Sequence, residues 1–277
     1  MPTITAKNFS LKATLESGQI FRWEQQGECH YIVTGKNIIR IRQNEEKIIY
    51  KCSSDDFDVP KFLGLKDDSY EKTLAEISRH RQLKSAAAKH KGLRIIRQEP
   101  WECTASFICS SFSNIKRITA NINTIASKFG KQIKLEGYKS YSFPTAAEIA
   151  LGTEKLGECG LGYREKYLAA TSKIISAGWS YEAITGKSYD KAKKQLMQLP
   201  GVGEKVADCI MLFSLGFTEA FPVDVWIEKT MKQNYPECRT MSTKKTAEYG
   251  RKLFGKNAGY AQQFIYHHAR SCGGKAK

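Results

Sequence analysis

The sequence predicts an α+β fold: an N-terminal antiparallel β-sheet domain followed by a mostly α-helical body that contains a helix–hairpin–helix. Three observations lead there. Short segments with period-two alternation crowd the first fifty residues, and segments of helical period fill the chain from about residue 57 onward. The stretch "LPGVG", residues 199–203, lies between two of those helical segments. The 277 residues suffice for two or three small domains, since domains run to ~100–200 residues each. The reading divides them at 1–96, 97–198 and 199–277.

The segments "FSLKATL", "QIFRWEQ", "HYIVTG", "NIIRIRQ" and "KIIYKCS" read as about five strands, punctuated by "QQGE", "TGKN" and "QNEE". Within them Tyr31 with Val33, Ile39 with Ile41, and Ile48 with Tyr50 each line one face. Asp68, three residues before Glu71, has the spacing of a capping box and opens a helix over "DDSYEKTLAEISRHRQLKSAAAKH". A second long helical region, "PWECTASFICSSFSNIKRITANINTIASKFG", breaks near Ser110–Ser113 and stops at Gly130. Helices follow at "TAAEIALG", "YREKYLAATSKIISAG", "DKAKKQLMQ", "EKVADCIMLFSLG", "VDVWIEKTMKQ", "TKKTAEYGRKLFG" and "NAGYAQQFIYHHAR".

Composition narrows the function. Forty-four Lys and Arg against 28 Asp and Glu leave a formal charge of +16, spread along the chain with no polylysine tail. A polyanion such as nucleic acid fits that balance. No apolar run approaches the ~20 residues that span a bilayer, so no membrane partner is expected. "MPTITAKNFSLKATL" has neither the apolar core nor the cleavage site of a secretory signal. The expectation is an intracellular monomer, in a bacterial cytoplasm or nucleoid. None of the eight cysteines forms a C-x-x-C pair or iron–sulfur spacing, so they read as buried or incidental thiols.

In "LPGVGEKVADC", Gly201 and Gly203 allow positive φ and a close approach of another backbone, and free amides at the start of the next helix offer an anion site suited to phosphate. Lys205 lies in the first turn of that helix, where the dipole disfavours a cation by ~0.3–1 kcal/mol. A lysine is a nucleophile only when deprotonated. Lowering an ordinary lysine from ~10.4 to near 7 requires about 4.6 kcal/mol. The dipole supplies at most ~1–2 kcal/mol, so partial burial must supply the rest. The placement thus reads as a device that makes the ammonium uncomfortable. A solvated surface lysine is the plain alternative. Asp224 follows in "FPVDVW", where it can also serve as a helix N-cap.

"LPGVGEKVADC" followed by "FPVDVW" resembles the helix–hairpin–helix, Gly/Pro–Asp superfamily of base-excision DNA glycosylases. With "ESGQIFRW", "FICSSFSNIKRIT", "GLGYREKY" and "AGYAQQFIY", most of the chain is similar to the 8-oxoguanine DNA glycosylase/AP lyases in the family's order. The resemblance implies roles residue by residue. Lys205 falls at the Schiff-base nucleophile and Asp224 at the carboxylate that stabilises the developing sugar cation, an attraction that grows as the bond breaks. A pocket for the flipped base is implied, with Gly18 offering a carbonyl to the N7–H of 8-oxoguanine. Cys209 and Tyr266 fall on the two faces of the base, Pro222 lies beside them, and Gln262 falls where an amide reads the Watson–Crick edge. On the duplex side, Tyr163 falls at a wedge beside the lesion and Arg117 and Arg164 at readers of the opposite base. Gly201 and Gly203 of the hairpin face the phosphate backbone. No cofactor is required; a structural monovalent or divalent cation is implied on the backbone carbonyls of Met197, Leu199 and Val202.

Three positions depart from the family. Phe112 stands where relatives often carry an asparagine that fills the gap left by the flipped base, and phenylalanine stacks without hydrogen-bonding the orphan base. Trp226 replaces a phosphate-contacting histidine, and Tyr266 carries a hydroxyl where phenylalanine is usual. Two other readings compete. A monofunctional glycosylase for alkylated bases would use the aspartate and water without Lys205. A DNA-binding module without activity would need neither Lys205 and Asp224 together nor a base pocket.

Overall fold

A computed structural model describes residues 1–273. Strands β1 (Thr3–Thr5), β2 (Trp23–Gln26), β3 (Cys29–Thr34), β4 (Asn37–Asn44) and β5 (Lys47–Cys52) form one antiparallel sheet in the order β1-β5-β4-β3-β2. Register follows the apolar pattern: Ile32 pairs with Ile39, and Ile41 with Tyr50. Ile32, Ile39, Ile41 and Ile48 face one core, while Val33 and Ile38 pack on the opposite side.

The sheet has five strands, but not the five expected. "FSLKATL" is helix α1 (Leu11–Glu16), not a strand, and β1 takes the fifth place. Leu11, Ala13 and Leu15 satisfy a period of two, yet Leu11 and Leu15 are equally spaced for one helical face. The N-cap decides: Ser10 Oγ accepts the amide of Ala13 at 3.1 Å. The expected capping box also differs. After the short α2 (Val59–Phe62), helix α3 (Tyr70–Ser78) begins at Ser69 with no side-chain cap, and Asp67 rather than Asp68 accepts the Ser69 amide. Residues 79–83 separate α3 from α4 (Lys84–Lys89), so the single helix expected there is two.

The helical body runs through α5 (Pro100–Cys109), α6 (Ile115–Phe129), α7 (Ala146–Leu151), α8 (Arg164–Ser176), α9 (Tyr189–Leu196), α10 (Glu204–Ile210), α11 (Val225–Asn234), α12 (Thr243–Phe254) and α13 (Ala258–Gly273). A hairpin of β6 (Gln132–Leu135) and β7 (Tyr138–Tyr141), absent from the sequence reading, turns on Glu136 and Gly137, both with positive φ. It leans on the N-terminal sheet, with Tyr138 stacked on Tyr31 at 4.2 Å between ring centroids. Arg22 and Glu102, both buried, form an ion pair at 3.0 Å that joins sheet to body, and Glu102 also accepts the Gly35 amide. The larger core stretches from Phe21 to Ile265, and α3 and α4 pack with it through α13. Cys103, Cys109, Cys159, Cys209 and Cys238 are buried free thiols. Among the described residues, no helix is long and apolar enough to cross a membrane.

Candidate active site

The hairpin between α9 and α10 is plugged into the core by Leu199 and Val202, and its turn closes through Val202 N–H to the Leu199 carbonyl at 3.0 Å. Thr171 Oγ1 donates to the Pro200 carbonyl at 2.7 Å. Gly201 has φ +81°, and a Cβ there would lie 2.7 Å from Tyr167 Cβ, so this glycine is required both for conformation and for space. Gly203 differs from the expectation of positive φ. It is the exposed N-cap of α10 with φ −89° and ψ −174°, and nothing stands where a side chain would go. The lack of a side chain and of any side-chain cap leaves the first amides of α10 open on that face. Behind the helix, Asp208 is buried against the Tyr189 hydroxyl and Lys193, which is 3.0 Å away and also reaches Glu204 at 2.7 Å. Burial pushes the Asp208 carboxyl up, with Lys193 opposing. This cluster pins α10 to α9.

Lys205, one turn before Asp208, is half-buried, its Nζ donating to Ser110 Oγ at 3.1 Å and lying 5.2 Å from the centre of the Phe107 ring. Asp224 caps α11: its Oδ1 accepts the amides of Trp226 at 3.0 Å and Ile227 at 2.9 Å. Burial raises the Asp224 carboxyl above its ordinary range; the Ile227 amide, Lys205, the Trp226 amide and Arg270 pull the other way. The aspartate is therefore both an N-cap and a neighbour of the lysine in one electrostatic field. Trp226 is half-buried, with its backbone amide committed to that cap.

Around this pair the residues singled out for the base converge. Cys209 lies one turn beyond Lys205 and is buried; desolvation pushes its thiol up to about 12, opposed by Lys205 and reinforced by Asp208 and Asp224. Tyr266 of α13 is raised to about 12 by burial, with Arg270 opposing and Asp224 and Cys209 adding. Gly18 has φ +74°, and a Cβ on it would meet Tyr266 Cε1 at 2.9 Å, Tyr266 Oη at 3.0 Å and Arg270 Nη1 at 3.2 Å. Pro222 is buried next to the Asp224 loop. Gln262 is buried and its Oε1 has no hydrogen-bond partner, a state that costs about 1–3 kcal/mol for a buried acceptor. Gly18, Cys209 and Tyr266 are thus brought together with Asp224 and Lys205, and Gln262 lies one turn before Tyr266 on α13. Four surface clefts, of about 320, 670, 470 and 410 Å³, are all lined by other residues.

A glutamine network, unsuspected from the sequence, holds the Gly18 wall. Gln19 Oε1 accepts the Ile96 amide at 2.7 Å and its Nε2 donates to the Arg94 carbonyl at 2.8 Å; Gln98 Nε2 reaches the Gln19 carbonyl at 2.7 Å. Gln263 Nε2 donates to the Ser17 carbonyl at 2.7 Å. The Gln98 backbone in turn bonds the π-helical turn Met211–Leu215 that continues α10, through Phe213 O at 2.8 Å and Ser214 Oγ at 2.9 Å. The helix carrying Lys205 and the segment carrying Gly18 are thereby one rigid unit. The sequence signals are Gln19 in "ESGQIFRW" and the pair in "AGYAQQ", where Gln262 is expected at the base and its neighbour Gln263 holds the wall.

The residues read as duplex contacts divide sharply. Phe112 is 96% exposed and has φ +48°, which is unusual for a bulky side chain. Tyr163 is exposed beside it, its hydroxyl 3.3 Å from the Ser111 carbonyl. Arg117 is exposed in the first turn of α6. Arg164, by contrast, is 3% exposed and donates to the carbonyls of Ser111 at 2.7 Å, Leu161 at 2.6 Å and Phe112 at 3.5 Å. In this conformation it organises the loop that presents Phe112.

Residues 2–104 match the 8-oxoguanine DNA glycosylase N-terminal domain, and residues 105–256 match the HhH-GPD superfamily of base excision DNA repair proteins. The N-glycosylase/DNA lyase of Saccharomyces cerevisiae is 33% identical over 84% of this chain and 70% of its own length. A probable N-glycosylase/DNA lyase of Methanothermobacter thermautotrophicus is 34% identical over 66% of this chain; the match spans 65% of that relative. Among solved structures, the Clostridium acetobutylicum 8-oxoguanine glycosylase/lyase bound to double-stranded DNA containing cytosine opposite 8-oxoG superposes with a TM-score of 0.91, at 31% identity over 99% of each chain. A 3-methyladenine DNA glycosylase from Archaeoglobus fulgidus, 18% identical with a TM-score of 0.81, shares the fold. The chain belongs to the HhH-GPD superfamily of base excision DNA repair proteins, with the N-terminal domain of the 8-oxoguanine DNA glycosylases.

Proposed function

We propose that the chain is a bifunctional DNA glycosylase/AP lyase that excises 8-oxoguanine from duplex DNA in base excision repair. The observation that carries this reading is the juxtaposition of Lys205 and Asp224 with Cys209, Tyr266 and Gly18. The flipped nucleotide enters between Cys209 and Tyr266. Lys205 Nζ attacks C1′ while the C1′–N9 bond breaks and its electron pair leaves with the base. The Asp224 carboxylate opposes the positive charge that builds on the sugar. The nitrogen lone pair then opens the C1′–O4′ bond, with O4′ taking up a proton, to give an imine; this acidifies C2′, and loss of a C2′ proton expels the 3′ phosphate, which nicks the strand. The +16 charge and the open amides of α10 hold the backbone. Phe112 and Tyr163 fill the space the base vacates, and Arg117 reads the orphan base. The chain acts inside the cell, where its duplex substrate is.

The proposed cation at the hairpin would sit on the carbonyls of Met197, Leu199 and Val202. The Leu199 carbonyl accepts one amide and keeps a second lone pair for it. No acidic side chain is required there, and the cation takes no part in the reaction.

Borohydride trapping on a duplex with one 8-oxoguanine, set in turn opposite each base, tests the assignment. A covalent adduct that disappears in Lys205→Gln is the expected result. Base release without an adduct would transfer the chemistry to Asp224 and water; neither adduct nor release would leave a DNA-binding protein only.

A further inference from the structure

Arg270 is a charged side chain at the base site that the reaction above does not use. It lies one helical turn beyond Tyr266 on α13, half-buried. Its guanidinium carbon is 5.3 Å from the centre of the Tyr266 ring, and its Nη1 is 3.2 Å from where a Cβ on Gly18 would stand. Its field reaches the Asp224 carboxyl. A guanidinium has five N–H donors. This one reaches the Glu16 carbonyl in a long hydrogen bond of 3.4 Å and lies close enough to the Tyr266 hydroxyl to act on it, which leaves most of its donors unused among the described residues. A cation with donors to spare therefore stands against the wall that faces the base.

That location has a chemical meaning for an oxopurine. When C1′–N9 breaks, the bonding pair goes to the base, and the negative charge spreads from N9 over the ring to its carbonyl oxygens. The oxygen at C8 adjoins N7, the edge assigned to Gly18, and Arg270 is the charged donor beside Gly18. We propose that Arg270 contacts the base: as the flipped base parts it from Gly18 and Tyr266, its guanidinium donates to the oxygen at C8 and holds the charge of the departing base. Lys205 forms its bond to C1′ in the same step, and the proton lost from its nitrogen neutralises the freed base. Arg270 thus favours the lesion over guanine, which has no oxygen at C8, and lowers the barrier to glycosidic cleavage but not to strand nicking.

This inference rests on the assignment of 8-oxoguanine to the pocket, and the test separates the two. Single-turnover rates are measured for wild type, Arg270→Met and Arg270→Lys on a duplex carrying 8-oxoguanine and on one carrying a preformed abasic site. Arg270→Met is expected to slow base release by ~10²-fold, as for removal of one donor aimed at developing charge. Nicking of the abasic site stays within about twofold, and Arg270→Lys recovers part of the loss. A role exerted only through Asp224 would instead slow both steps and move the acid limb of the pH–rate profile, and that result overturns the proposal. So does an Arg270→Met variant as fast as wild type or faster, or one whose only defect is weaker binding to undamaged duplex, the mark of a phosphate contact. A general folding defect would lower the melting temperature of both variants and both rates together, and it too counts against the proposal. Wild type that nicks abasic sites but releases no 8-oxoguanine overturns the functional reading, and this inference with it.

Discussion

The wall around Gly18 and the loop around Phe112 are built on opposite plans. In the wall the functional atoms belong to the backbone, and the side chains of Gln19, Gln98 and Gln263 are buried to hold it. In the loop the functional atoms are side chains thrust into solvent, and one buried arginine, Arg164, holds the backbone beneath them. The role proposed for Gly18, discrimination of a single hydrogen atom on a purine, needs a fixed carbonyl, and neutral amide networks supply that rigidity without burying a net charge. A wedge that enters a duplex needs area and reach, so it remains exposed. In this chain exposure thus goes with the residues proposed as the wedge, while fixed backbone goes with the one proposed as the reader.

The contrast can be broken most severely at Gly18. Gly18→Ala forces a left-handed φ on a residue with a Cβ, for about 1–2 kcal/mol, and drives that Cβ into Tyr266. Base release should fall by at least ~10²-fold, while binding of undamaged duplex is kept; stopped-time excision assays and fluorescence anisotropy check both. Equal losses in the two would show that the wall also contacts the duplex.

Arg164 and Arg117 sharpen the other side. Arg164→Met removes the two short hydrogen bonds from the buried guanidinium to the Ser111 and Leu161 carbonyls, each worth about 1.5–3 kcal/mol for a charged donor. The melting temperature should drop by several degrees, at ~2–4 °C per kcal/mol for a chain of this size, and affinity should weaken alike for all four opposite bases. Arg117→Ala should leave the melting temperature unchanged and flatten the opposite-base preference instead. A selective effect of Arg164→Met on cytosine would show that the arginine leaves its carbonyls in the complex.

The acid limb of base release comes next. The proposed reaction needs Asp224 ionised, and burial raises its carboxyl above the usual ~3.9. The rate should therefore decline on acidification at a pH above that of an ordinary aspartate, and Asp224→Asn should remove that limb along with most of the activity. The same raised carboxyl makes its ionisation unfavourable to the fold, so its contribution to stability falls as pH rises through the folded-state value.

The smallest effect is expected at Phe112. Asparagine tolerates positive φ better than phenylalanine, and the side chain makes no buried contact to lose, so Phe112→Asn should be neutral or stabilising by up to ~1 kcal/mol. Its cytosine selectivity, measured as the ratio of excision rates opposite cytosine and adenine, should rise. A fall would assign the selectivity to stacking.

Much of this protein was legible in its sequence because the signals were local. Alternating isoleucines in β3, β4 and β5 set which face is buried, and their register followed. The hairpin glycines, the lysine in the first turn and the aspartate cap lie within twenty-five residues, and their chemistry depends on helix ends that residues there already specify. Where two periods fitted equally, as in "FSLKATL", local pattern failed and a single serine cap chose the helix. Asp68 had the right spacing for a cap and the wrong backbone, because Asp67 had already turned the chain.

Tertiary structure alone decided the remainder. Arg117 and Arg164 look alike along the chain; only the packing of α8 against the Ser110–Asn114 loop buries one and exposes the other. Gly201 and Gly203 are two residues apart in one motif, yet Tyr167 crowds the first and solvent surrounds the second. The meeting of Gly18 with Tyr266 and Arg270 joins residues about 250 positions apart, and no periodicity carries over that distance. Most of the strands and helices and the glycine hairpin with its lysine and capping aspartate followed from short-range patterns of side chain and backbone, which the residues there carry on their own. What lies against what, which polar groups lose water and which cation stands beside Gly18 were decided by packing, because burial is a property of the whole fold.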